Sequence, residues 1–158
     1  MMMRMVFPGR ILAMALVGTI TLACADGLKS AQGASDQQVR TMKIRMDVEG
    51  TAITATLVDS ATSRDFVSLL PLTLTLRDYA ATEKISDLPR RLSTEGAPPG
   101  IDPSVGDITY YAPWGNLALF YRDFGYSTGL IKLGKIDSGV EALARPGPLR
   151  VTIELVEK

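Results

Sequence analysis

The 158-residue chain balances 17 lysine and arginine residues against 17 aspartate and glutamate residues, and it contains no histidine and one cysteine, Cys24. That inventory cannot build a Ser-His-Asp or Cys-His catalytic set, a His/Cys metal site or an intramolecular disulfide. Nor is there a basic cluster beyond Arg90-Arg91, which points away from nucleic acid, since polyanion binding needs a row of cations.

Residues 1–25 read as an export signal. Arg4 and Arg10 form a short basic region, and Ile11 to Ala23 is apolar or small apart from Thr19 and Thr21, a run too short to settle across a bilayer as a helix. Ala23-Cys24-Ala25 fits the small-x-small pattern, with cleavage after Ala25. Thr21-Leu22-Ala23-Cys24 resembles a bacterial lipobox, which would make Cys24 a lipidated first residue and the only link to a membrane. Both readings stay open, and both place the protein outside the cytoplasm, periplasmic or anchored to the cell envelope. Removing residues 1–25 leaves 15 basic against 17 acidic residues, a net charge of −2.

Residues 26–41 are small, polar and aperiodic, as expected of a tether, and the folded domain is expected over 42–158. Ile44, Met46 and Val48 alternate with polar residues, Glu49-Gly50 makes a turn, and Ile53, Ala55 and Leu57 alternate again, a β-hairpin pattern. Asp59 and Ser60 offer N-cap oxygens, Thr62 and Asp65 have capping-box spacing, and Phe66, Leu69 and Leu70 form one apolar face of a short helix ending at Pro71. Leu72, Leu74 and Leu76 alternate as a third strand. Arg77 to Lys84 is polar, and the simplest reading of Glu83 and Lys84 is a solvated turn with a surface ion pair. The stretch 93–106 holds three prolines and three glycines and reads as a long loop.

Strands resume at Asp107–Tyr111 and Asn116–Tyr121 around a Pro113-Trp114-Gly115 turn, followed by a strand at Leu130–Ile136, a second short helix at Ser138–Ala144, and a closing strand carrying Val151, Ile153 and Leu155. Seven of the ten aromatic residues fall between Tyr110 and Tyr126. Period two sends Tyr110 and Tyr111, and likewise Phe120 and Tyr121, to opposite faces of the sheet. Part of the cluster therefore fills a core and part lines a surface or pocket, with Trp114 expected at a pocket mouth. The pattern predicts a mainly β domain of six to eight short strands with two short helices. Closure into an antiparallel barrel would remove exposed strand edges.

Several segments carry a family resemblance. MKIRMDVEGTAITATLVDSATSRDFVSLL resembles the cyclophilin opening hairpin and helix, GDITYYAPWGNLALFY its glycine-rich hairpin, LIKLGKIDSGVEAL its late strand and helix, and LRVTIELVEK its closing strand. LLPLTLTLRDYAATEKISDLP and YYAPWGNLALFYRDFGYSTGLIKLGKI are similar to bacterial cyclophilin-like proteins of uncharacterised function. The resemblance implies a closed cyclophilin-like β-barrel of about eight strands. It also marks Arg77 as the one arginine near the strand that carries the catalytic arginine of cyclophilin prolyl isomerases. Leu117 and Leu119 fall near the family's glutamine and phenylalanine positions, and a one-residue shift would put Ala118 and Phe120 there. Most of the isomerase constellation is therefore missing.

The resulting expectation is a binding module without cofactor or metal. It holds a small molecule or an extended peptide in a groove lined by Tyr111, Trp114, Phe120 and Tyr126, with Arg77 as polar anchor. The alternative is a weak prolyl isomerase for envelope proteins, with Arg77 as its catalytic residue.

Overall fold

The computed structural model describes residues 41–156. The expected export signal with Cys24, and all of the expected tether but its last residue, lie outside the described residues.

The opening hairpin forms as the alternation predicts, with β1 at Met42–Val48 and β2 at Thr51–Leu57. Its two-residue turn places Glu49 at φ 51° and Gly50 at φ 81°, the left-handed pair that matches the twist of adjoining strands. Helix α1 spans Ala61–Val67, and the Ser60 side chain caps it by accepting from the Ser63 N–H at 3.0 Å. Phe66 points from this helix into the core and is fully buried. Strand β3 covers Leu72–Tyr79, β4 Glu83–Asp87, β5 the pair Gly100–Ile101, β6 Asp107–Tyr111 and β7 Asn116–Phe120. The remaining strands are β8 at Ser127–Thr128, β9 at Leu130–Ser138 and β10 at Leu149–Leu155.

Eight of these strands close an antiparallel barrel in the order β1-β10-β3-β4-β7-β6-β9-β2, while β5 and β8 pair with each other outside it. The inward faces are apolar in period two: Ile44, Met46 and Val48 from β1, Leu74 and Leu76 from β3, Leu117 and Leu119 from β7. Full burial of such a side chain is worth about 1.5–3 kcal/mol, so the pattern itself selects the register. A second, smaller apolar cluster forms on the outer face from Ala118, Phe120 and Leu130, with Ile85, Ile101 and Tyr111 packed against it.

Two expectations are corrected. The second helix is a short 3-10 segment, Val140–Ala144, entered through the left-handed Gly139 with no side-chain cap. Five residues without a cap hydrogen bond hold too little of a helix's own stabilisation for a regular α-turn. The polar stretch around Glu83 and Lys84 is the barrel strand β4, paired to both β3 and β7, and not a solvated turn.

Candidate functional site

The outer face of β3, β4, β7 and β6 carries a cavity of about 340 Å³. Strand pairing brings its parts together in rows. One row runs Tyr79, Glu83, Phe120 across β3, β4 and β7, and another joins Asn116 of β7 to Tyr111 of β6. Residues directly opposite on neighbouring strands have Cβ atoms about 4.5–5.5 Å apart, so Tyr79 and Phe120 flank Glu83 on both sides. Phe124, Ser127, Thr128 and Leu130 complete the far wall.

Trp114 stands in the turn between β6 and β7 and remains 55% exposed. Its ring meets two tyrosine rings nearly at right angles, Tyr79 with centroids 5.5 Å apart and Tyr111 with centroids 5.2 Å apart, the edge-to-face arrangement that ring quadrupoles favour. The turn is held from outside the cavity. Arg91 donates from Nη1 to the Ala112 carbonyl at 2.7 Å and from Nη2 to the Pro113 carbonyl at 3.2 Å. Gly115 takes φ 76° there, a conformation that costs a glycine little. The Arg90-Arg91 pair thus serves the fold, since Arg90 grips Asp65 of α1 with both terminal nitrogens, at 3.0 and 2.6 Å. That contact holds the Asp65 carboxyl down at about 2, chiefly through the Arg90 hydrogen bonds.

Glu83 is the charged residue among those lining the cavity. Burial among the rings pushes its carboxyl up from 4.5 to about 7, and desolvation is the sole cause, as expected of an acid without a nearby cation. Lys84 does not relieve it. Alternation turns Lys84 to the barrel interior, where it is fully buried and its ammonium pairs with Asp78 at 2.8 Å. The same ammonium donates to the Arg145 and Gly147 carbonyls at 2.7 and 2.8 Å. The Lys84 hydrogen bond in turn lowers the Asp78 carboxyl, against the effect of burial. Asn116 lines the cavity at 3% exposure, and its Oδ1 has no hydrogen-bond partner.

Of the residues singled out in the sequence, Tyr111, Trp114 and Phe120 come together on this cavity. Tyr126 does not line it; its ring lies over Gly100, where an added Cβ would stand 2.9 Å from the Tyr126 Cζ. Arg77 is on the same outer face but lines a neighbouring hollow of about 190 Å³ with Thr75, Ile85, Ser86 and Asp87. It sits opposite Ile85, two residue pairs along the sheet from the Tyr79–Glu83 row, with the Asp78–Lys84 pair between. Tyr79, Glu83 and Asn116 are among the cavity residues outside the expected set. Glu83 and Tyr79 lie in the polar stretch that looked like a turn, and only their pairing with Phe120 shows that they face the aromatic cluster.

Chemically, the cavity offers aromatic faces and edges and one carboxyl able to exchange a proton near neutral pH. Ser127 Oγ donates to the Gly125 carbonyl at 3.3 Å, and no base lies on it. Among the described residues, no group of three or more His, Cys, Asp or Glu side chains is placed to hold a metal ion.

No curated protein matches the chain. Among solved structures, it is similar to the solution structure of the hypothetical protein AF2241 from Archaeoglobus fulgidus, with a TM-score of 0.55 and 17% identity over 77% of this chain and 99% of that one. At that identity the likeness concerns the fold. The cyclophilin-like family matches residues 46–154, the span that forms the barrel and its outer cavity, and the chain belongs to that family.

Proposed function

We propose that this protein is a non-catalytic binding module of the cell envelope that holds a small molecule or an extended peptide in the aromatic cavity beside Trp114. The observation that carries the reading is the exposed Tyr79–Trp114–Tyr111 assembly over a concave surface. Ligand sites combine apolar and aromatic walls with a few convergent polar groups, and Glu83 and Asn116 supply those. Export rests on the composition of residues 1–25, and either a free or a lipidated terminus is compatible with it.

Trp114 is the only tryptophan, so its emission reports on the cavity directly. Titration with proline-containing peptides and with small apolar molecules should shift that emission for at least one class, and Trp114→Ala should weaken the same binding when it is followed by ligand-observed NMR. Absence of any response from every class would overturn the reading.

The second reading is weak prolyl isomerisation, favoured by the position of Arg77 on the outer face beside the cavity. It requires acceleration of proline isomerisation that Arg77→Ala abolishes while the unfolding transition is unchanged. Equal rates with and without the protein would eliminate it.

A further inference from the structure

The charge and hydrogen-bonding character of the cavity identify its ligand more narrowly, on the premise that it is a binding site. Its walls combine two edge-to-face aromatic contacts, both made by Trp114, with one acid, and no lysine or arginine lines it. We propose that the cavity binds a small protonated amine, its apolar body against Tyr79, Tyr111 and Trp114 and its N–H groups donated to Glu83.

Two independent features converge on that chemistry. Aromatic faces attract a cation through the ring quadrupole, the more so where water is partly excluded. A carboxylate in poor contact with water needs a positive partner, and a buried charge left unpaired is costly. Lys84, its chain neighbour, is committed on the opposite face of the sheet to Asp78 and two carbonyls, so that partner has to come from outside. An anionic ligand would meet Glu83 with no cation in the wall to offset it.

The groups facing Glu83 are Tyr79 from β3, Phe120 from β7, and Tyr111 and Trp114 across the cavity, with Tyr121 following β7. The volume lies at the lower end of the ligand-cavity range of about 300–1,000 Å³, which suits a single small amine.

The test uses three probes of one shape and different charge: cyclohexylmethylamine, cyclohexylmethanol and cyclohexanecarboxylate. Each is titrated into the protein at about pH 8, above the value of about 7 that burial imposes on Glu83, with Trp114 emission as the readout. The amine should bind at least about tenfold more tightly than the alcohol, and the carboxylate more weakly than both. In Glu83→Gln, which is nearly isosteric, the amine should fall to within about threefold of the alcohol. Tyr79→Leu, at a 43% exposed position where folding is not at stake, should also reduce the preference for the amine. If the alcohol binds and the amine has no advantage, or if the advantage survives Glu83→Gln, the amine assignment is overturned and the binding-module reading stands. If none of the three moves the Trp114 signal, the amine assignment falls, and the binding-module reading then depends on the peptide titration above.

Discussion

Glu83→Gln should make this protein more stable at pH 8 and leave it nearly unchanged at pH 5. The folded state holds the Glu83 proton up to about 7, whereas the ordinary value is 4.5, so between those values the folded protein binds more protons than the unfolded chain. Stability therefore falls as pH rises through that window, and it stays low above it. At about 1.4 kcal/mol per tenfold change in proton affinity, the displacement bounds the effect at about 3 kcal/mol. Partial solvent access to the side chain reduces this to about 1–2 kcal/mol. A glutamine keeps the shape and is neutral throughout, so the variant should not lose this contribution.

The assay is equilibrium urea unfolding of wild type and variant at several pH values between about 5 and 8, the range set by the Glu83 displacement. The chain has no histidine, which leaves the window unusually free of other titrations. The terminal amine, which titrates near 8, cancels in the comparison of the two proteins. Asp65 and Asp78 are displaced downward and Tyr121 upward, so all three titrate outside it. The expected result is a stability difference that opens with pH and reaches its plateau by about pH 8. A difference independent of pH would refute the reasoning, because it would mean that Glu83 is solvated like a surface acid. The sign has a functional meaning. A residue that destabilises the folded state in its ionised form is held in place at a cost in stability, a common signature of binding and catalytic positions.

The other predictions concern the frame of the site. Lys84→Met should destabilise the barrel by about 2–4 kcal/mol in urea unfolding, because the Arg145 and Gly147 carbonyls lose their side-chain donor and Asp78 loses its ion pair; a change below about 0.5 kcal/mol would show that these groups find water instead. Gly134→Ala should lower the melting temperature, with a cost of at least about 2 kcal/mol, since its Cβ would stand 2.4 Å from the Thr56 carbonyl oxygen on β2. An unchanged melting temperature would mean that the β2–β9 pairing yields without loss.

The polar stretch from Arg77 to Lys84 shows where sequence reasoning stopped. Period two at Leu72, Leu74 and Leu76 identified the strand before it, because one apolar face has to be buried and a one-residue slip would expose all of it. Glu83–Asp87 has no such pattern: Lys84 is a charged residue facing inward, and Ile85 packs on the outer face. A lysine can occupy that position only because the turn after the 3-10 segment brings two carbonyls, 61 and 63 residues away in the chain, and β3 brings Asp78 to its ammonium. No local signal contains that information. The same limit applied to Arg77, whose strand was legible while the hollow it lines depended on the pairing with Ile85.

The sequence by itself determined the alternating strands, the Glu49-Gly50 turn, the burial of Phe66, the opposite facing of Tyr110 and Tyr111, and Trp114 at a pocket mouth. Each follows from nearest-neighbour geometry and from the energy of removing one apolar face from water. Only the tertiary structure decided that Tyr79 and Glu83 join the aromatic cluster, that Tyr126 stands apart from it, and that Glu83 has no compensating cation. Those facts depend on which strands lie side by side when the barrel closes, and strand neighbours are set by the packing of the whole core.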